Sequence, residues 1–221
     1  MTETAPPGAR EVFGDDVARA MRFAELLADH GVERGLIGPR EVERLWERHL
    51  LNSAVLAELL PRAARVVDLG SGAGLPGVPL ALAAPELEIT LLEPMARRVE
   101  WLEYVAATLE LRVTVVRGRA EEPAIRRQLG GTEFVVARAV APLAKLCEWA
   151  LPLLRTGGHL LAMKGAGASD ELVRDREPVA RLGGGEPRIE SCGMKVVSDP
   201  ATVVIVEKVG GPRARRIRKD R

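Results

Sequence analysis

The 221-residue sequence predicts an α/β fold of Rossmann type, a seven-stranded sheet whose last strand is antiparallel, preceded by an N-terminal helical segment. Three observations carry this expectation. From Arg65 onwards, short apolar runs alternate with longer stretches of helical spacing, the pattern of strand-helix-strand units. A glycine-rich turn joins the first apolar run to the first helical stretch of that series. The last two runs have only the short break Ser198-Asp199-Pro200 near their junction, whereas a parallel crossover needs a dozen or more residues.

The elements follow in order. Val12, Val17, Met21, Ala24, Leu27 and Ala28 recur near helical spacing until His30-Gly31 closes the pattern. After a break over residues 35–39, residues 41–60 resume it, with Leu45, Trp46, Leu50, Ala54, Val55, Leu56, Leu59 and Leu60 as apolar positions, and Pro61 stops it. Strands are expected at about 65–69, 87–92, 112–117, 134–138, 158–163, 187–193 and 202–208, and helices near 76–84, 95–109, 122–129, 142–154 and 168–182. The expected division is a helical segment over 1–62 packed on a sheet domain over 63–210, then a basic, disordered tail over 211–221.

Composition narrows the class. Hydrophobic residues at 47% and charged residues at 29% are globular values, and no apolar run approaches the roughly 18 residues of a membrane span. The opening residues carry neither a basic cluster nor an apolar stretch, so a cytoplasmic protein without a secretory signal is expected. Two cysteines and three scattered histidines predict neither a disulfide framework nor a metal site. Net charge is +1, but residues 212–221 carry +5, leaving −4 for the rest. Such a tail suits RNA phosphates, and equally a solvated end.

The stretch Val66-Val67-Asp68-Leu69-Gly70-Ser71-Gly72-Ala73-Gly74-Leu75-Pro76-Gly77 reads as a loop for a nucleotide-shaped cofactor. Spaced glycines let the backbone turn sharply out of a strand, and the following helix offers its N-terminal dipole. Two frames fit. Residues 72–77 satisfy the dinucleotide pattern G-x-G-x-x-G, with Glu93 near the position of a ribose-binding acid. Residues 68–74, with an acid two residues before the first glycine, resemble the first motif of class I S-adenosylmethionine methyltransferases, and this frame is preferred. Seven strands ending in a hairpin is the plan of that class, and 221 residues leave little room for a separate substrate domain.

Ligands of doubly wound sheets bind beyond the carboxyl ends of the strands. There the sequence places Gly70, Gly72 and Gly74, then Glu93, then Arg119, Ala120 and Glu121, then Arg138, then Lys164. Glu93 suits a ribose diol; Ala120 and Glu121 would bracket an adenine edge. Arg138, flanked by apolar residues, has two open readings, a salt bridge at the sheet edge or a contact to a cofactor carboxylate or substrate phosphate. No Asn-Pro-Pro-Tyr-like segment or Pro-Cys pair follows the fourth strand, which disfavours amine and carbon-5 methylation.

Arg48-His49-Leu50-Leu51-Asn52-Ser53, the 68–77 loop, Arg119-Ala120-Glu121, Ala137-Arg138-Ala139 and Met163-Lys164-Gly165 together resemble the RsmG (GidB) family of small-subunit ribosomal RNA methyltransferases, over about residues 15–208. The resemblance implies transfer of a methyl group from S-adenosylmethionine to N7 of one guanine in the decoding-centre loop of 16S RNA. It implies cofactor contacts at Gly70, Leu75, Ala120, Glu121 and Arg138, with Glu93 as the ribose acid, and RNA or active-site roles for Arg48, His49, Arg119 and Lys164. Asn52 departs from it, since the family usually has Asp there. A small-molecule methyltransferase and an NAD-dependent oxidoreductase are the competing readings.

The residue inventory agrees with that chemistry. Guanine N7 carries a lone pair in its neutral form, so no general base is needed, and no tuned His-carboxylate arrangement is evident. Arg138, Arg119 and Lys164 are expected to position rather than to transfer protons. Arg44, Arg48 and Asn52 share one helix stripe, with His49 beside it, as the expected RNA-facing surface. Seven aromatic residues allow little base stacking, so the 30S subunit or its precursor, rather than naked RNA, is the expected substrate, acted on by a monomer.

Overall fold

The structure, a computed structural model, describes residues 5–211. Strands β1 (Arg65–Leu69), β2 (Glu88–Glu93), β3 (Val113–Arg117), β4 (Thr132–Arg138), β5 (Leu154–Lys164), β6 (Arg188–Cys192) and β7 (Ala201–Glu207) form one sheet in the order β3-β2-β1-β4-β5-β7-β6. Every pairing is parallel except those of β7, which runs antiparallel to both β5 and β6. The expected terminal hairpin is therefore present, with β7 inserted between β5 and the edge strand β6.

Helices α1 (Pro7–Phe13), α2 (Val17–His30) and α3 (Asn52–Ala54) precede the sheet; α4 (Gly77–Ala83), α5 (Ala96–Thr108), α6 (Pro123–Leu129), α7 (Leu143–Ala150) and α8 (Ala168–Arg181) connect its strands. Two apolar layers sandwich the sheet. On one face Val66, Ile89, Leu91, Val136 and Leu161 meet Trp101, Leu102 and Val105 of α5, Val78 and Leu80 of α4, and Phe23, Leu27, Trp46 and Leu50 of the N-terminal segment. On the other, Val67, Leu92, Val135, Leu160 and Ala162 meet Ile125, Leu146, Cys147 and Val179. Strands covered on both faces must be apolar at nearly every position, which is why β1 after Arg65 is buried throughout.

Two expectations need correction. Residues 41–60, read as one helix, wind as a 3-10 turn (Pro39–Arg44), a π-helical stretch (Leu45–Leu51), α3 and another 3-10 turn (Val55–Leu59). Apolar spacing does not distinguish these windings, and the packing of Trp46, Leu50 and Leu56 in the core decides among them. The helix expected over 142–154 ends at Ala150, because Leu154 already pairs with Thr132 as the first residue of β5.

Because β1 lies between β2 and β4, the chain winds outwards in opposite directions from the β1/β4 pair. Their carboxyl ends open the crevice where such sheets hold ligands.

Candidate active site

Beyond β1, Gly70, Gly72 and Gly74 all take positive φ (73°, 54° and 99°), conformations L side chains avoid. The loop is fastened from below and behind. Gly77 N–H, at the start of α4, donates to Asp68 Oδ2 at 3.0 Å, and the Trp101 indole N–H donates to the Ala73 carbonyl at 3.0 Å. Asp68 is fully buried, and its Oδ1 has no partner among the described residues. Burial pushes its carboxyl up to about 7, helped by the nearby Glu93 charge and opposed by the Ser71 hydroxyl and the Gly77 N–H.

Glu93 ends β2 in the adjoining position and is 1% exposed. Its Oε2 accepts the Gly72 N–H and its Oε1 accepts the Met95 N–H, each at 3.0 Å, while Arg98 Nη1 stands 3.9 Å from Oε2. Each carboxylate oxygen keeps a lone pair for a further donor. A Cβ on Gly72 would meet only the Gly70 carbonyl oxygen and Arg98 Nη1, at the ordinary contact distances of 3.7 and 4.0 Å. A glycine-lined backbone cradle, beside an acid that can still accept hydroxyl hydrogens, fits the nucleoside part of S-adenosylmethionine.

After β4, Ala139 takes φ 54°, and Val140 folds over the loop so that a Cβ on Gly70 would lie 3.1 Å from its Cγ2. Past Val140 opens a cavity of about 680 Å³. Its walls include Arg44, Arg48 and Asn52 from the N-terminal segment, Arg138 and Val140 after β4, Lys164 at the end of β5, and residues 197–202 before and into β7. The expected stripe Arg44-Arg48-Asn52 thus faces one cavity despite its irregular winding. Asn52 Nδ2 donates to the Asp199 carbonyl at 3.3 Å, a contact that a carboxylate at this position, with no hydrogen to give, would not make.

The salt-bridge reading of Arg138 does not match its surroundings. No carboxylate among the described residues lies within salt-bridge distance. Instead its Nη1 donates to Ser53 Oγ at 3.0 Å, and its Nη2 donates to the Arg48 carbonyl at 2.7 Å and faces His49 Nδ1 at 3.1 Å. Burial, then the neighbouring Arg48 charge, brings its pKa down to about 10. Lys164 Nζ donates to the Ala141 carbonyl at 2.8 Å and pairs with Glu171 at 3.0 Å; Glu171 also accepts the Leu143 N–H at the start of α7.

The remaining expected residues separate. His49, expected on the RNA-facing surface, lies beneath it, 9% exposed, with Nε2 2.6 Å from Glu41 Oε2. Leu75 is buried under the loop. Ala120 is buried and its carbonyl accepts Arg126 Nε–H at 3.2 Å, whereas Glu121 and Arg119 are exposed beyond β3, outside the cavity wall. The basic tail residues 212–221 lie outside the described residues. Sequence reasoning gave no role to Glu41 and Glu171, which pair with Arg48 and Lys164 and lie outside the motifs, or to Ser53, which lies inside the 48–53 motif but meets Arg138 only through the fold.

Comparison with known proteins gives a consistent result. The family model described as GidB, rRNA small subunit methyltransferase G, matches residues 16–198. A ribosomal RNA small subunit methyltransferase G from Corynebacterium jeikeium is 52% identical, covering 92% of this chain and 92% of its own. One of the same name from Mycobacterium marinum is 52% identical over 97% of this chain and 95% of its own. Among solved structures, a protein from Agrobacterium tumefaciens described as a predicted O-methyltransferase has a TM-score of 0.56 at 20% identity, covering 73% of this chain and 81% of that one, a likeness of fold.

Proposed function

The chain belongs to the rRNA small subunit methyltransferase G (GidB) family, and from that premise we propose that it transfers a methyl group from S-adenosylmethionine to N7 of one guanine in the decoding-centre loop of 16S ribosomal RNA. The observation that carries this reading is Val140, which packs on Gly70 of the glycine cradle and also lines a cavity walled by Arg44, Arg48, Arg138 and Lys164. A volume of about 680 Å³ falls within the range of small-molecule pockets, about 300–1,000 Å³, and suits a splayed-out base more than a duplex.

When bound, S-adenosylmethionine supplies an electrophilic methyl group on a sulfonium centre. The protein's part is alignment. Gly70, Gly72, Gly74 and Leu75 form the cradle, Glu93 accepts from ribose hydroxyls, and Ala120 and Glu121 stand at the adenine side. Guanine N7 attacks with its own lone pair, so the cavity needs no base; correct orientation of two reactants alone is worth about 7 kcal/mol or more. Val140, Leu146 and Met163 give the cavity an apolar patch among its polar and charged walls. Arg138 and Lys164, each fastened to neighbouring backbone, present fixed cations to RNA phosphate or cofactor carboxylate. Arg44 and Arg48, more exposed, with Arg119 beyond β3, bind RNA backbone. The protein acts in the cytoplasm as a monomer, on the 30S subunit or its late precursor.

The test is tritium transfer from S-adenosylmethionine into 30S subunits isolated from a strain lacking the enzyme, with naked 16S RNA and NAD-supplemented controls. Label in 16S RNA, greater from subunits than from naked RNA, and a melting temperature raised by S-adenosylmethionine but not by NAD, are expected. Stabilisation by NAD without label transfer would refute the reading.

A further inference from the structure

Arg138 reaches the cavity from the end of β4, yet three groups of the N-terminal segment hold it. Two of these, Ser53 Oγ and the Arg48 carbonyl, are ordinary acceptors. The third, His49 Nδ1, accepts a guanidinium hydrogen only if it carries no proton itself, because arginine has hydrogens to give and no lone pair to offer. The ring's single hydrogen must then sit on Nε2, where Glu41 Oε2 accepts it at 2.6 Å. One tautomer satisfies both contacts, and the carboxylate selects it.

We propose that Glu41 and His49 are positioning residues for Arg138: the carboxylate fixes the imidazole with its Nδ1 lone pair towards the guanidinium, which sets the angle at which Arg138 presents its remaining hydrogens to an anion in the cavity. The proposal rests on the methyl-transfer reading. The anion is a carboxylate or a phosphate, held by the same fork chemistry, and it comes from the cofactor's amino-acid end or from the RNA backbone.

The arrangement has a proton dependence that packing alone would not give. A second proton on His49 turns Nδ1 into a donor facing a donor and sets two cations side by side, so the link breaks. The charged groups facing the ring are Arg138 from β4 and, from its own segment, Glu41 and Arg48. Burial, then the Arg138 charge, holds the imidazole below its usual pKa, so the link persists at neutral pH; Glu41 acts in the opposite direction.

Single-turnover methylation of 30S subunits is measured against pH between about 5 and 8, for wild type, His49→Phe, His49→Asn and Glu41→Gln. His49→Phe, which leaves a charged donor without its acceptor, is expected to lose about tenfold or more on the neutral plateau and to converge with wild type on the acid limb. His49→Asn, whose amide oxygen replaces Nδ1 and does not titrate, is expected to recover most of that loss and to lack the acid limb of the wild-type profile. Glu41→Gln is expected to move that limb to lower pH. If the loss in His49→Phe lies in the Kd for S-adenosylmethionine, the anion is the cofactor's carboxylate; if in the KM for the subunit, it is an RNA phosphate.

An acid limb retained in His49→Asn, full activity in His49→Phe, or an unmoved limb in Glu41→Gln would overturn the proposal. A second readout needs no substrate. Imidazole 15N shifts of the full-length protein, assigned by loss of signal in His49→Asn, are expected to show the Nε2–H tautomer and to move at Nδ1 in Arg138→Met. The Nδ1–H tautomer, or no movement, would overturn it. If wild type methylates no form of 16S RNA, the functional reading fails, and the 15N result still decides the Arg138-His49-Glu41 arrangement.

Discussion

The Asp68→Asn substitution tests how the cofactor loop is anchored. Asp68 accepts the Gly77 N–H with one oxygen and has no described partner for the other, inside a layer that excludes water. Its pKa rises from 3.8 in an unfolded chain to about 7 in the folded protein, so both states bind its proton at acid pH and neither does in strong base. Between those values the unfolded chain has released the proton while the native state still holds it. Its contribution is therefore fully present below about pH 4, shrinks as pH rises, and is exhausted near pH 7. From pH 5 to pH 7 the wild type should lose about 2 kcal/mol relative to Asp68→Asn, the slope of about 1.36 kcal/mol per pH unit flattening as the native carboxyl itself begins to titrate near pH 7. The amide keeps an acceptor for Gly77 but puts a donor where Oδ1 had no partner, an offset that does not vary with pH. Urea unfolding of both proteins at half-unit pH steps isolates the slope. Parallel stability curves between pH 5 and 7 would refute the assignment of Asp68 as a buried acid whose proton the fold retains.

The other predictions concern the cradle and the cavity. Gly72→Ala, whose Cβ would make only ordinary contacts but whose φ is 54°, should lower stability by about 1–2 kcal/mol while weakening S-adenosylmethionine binding at least tenfold, read by calorimetry. Glu93→Gln sets an amide N–H₂ against either the Gly72 or the Met95 N–H, and should cost about 1–3 kcal/mol in unfolding free energy as well as cofactor affinity. The Arg44→Ala/Arg48→Ala double variant should raise the KM for 30S subunits and reduce its salt dependence, with cofactor Kd unchanged in titrations followed by tryptophan fluorescence.

The strand-helix alternation was legible because it rests on local chemistry. Residues of β1, β2 and β4 are mostly apolar on both faces, and three glycines mark the turn after β1, where positive φ values call for them. Gly70, Glu93 and Arg138 were locatable for the same reason, since a strand end fixes where a side chain can act. The N-terminal segment was less legible. Its apolar spacing fits a single helix, while its actual windings answer to the shape of the core around Trp46 and Leu56. The partners of Arg138 were beyond sequence reasoning altogether: Ser53 and His49 stand 85 and 89 positions away and carry no pattern that points to a guanidinium. His49 reads as a surface residue beside Arg48 until the fold turns it inward.

The central claim is tested most directly by mapping 7-methylguanine along 16S RNA from 30S subunits of a strain lacking the enzyme, before and after incubation with the protein and S-adenosylmethionine. A single new 7-methylguanine in the decoding-centre loop is the predicted result; an unmodified loop, or a methyl group on any other atom, would contradict the account.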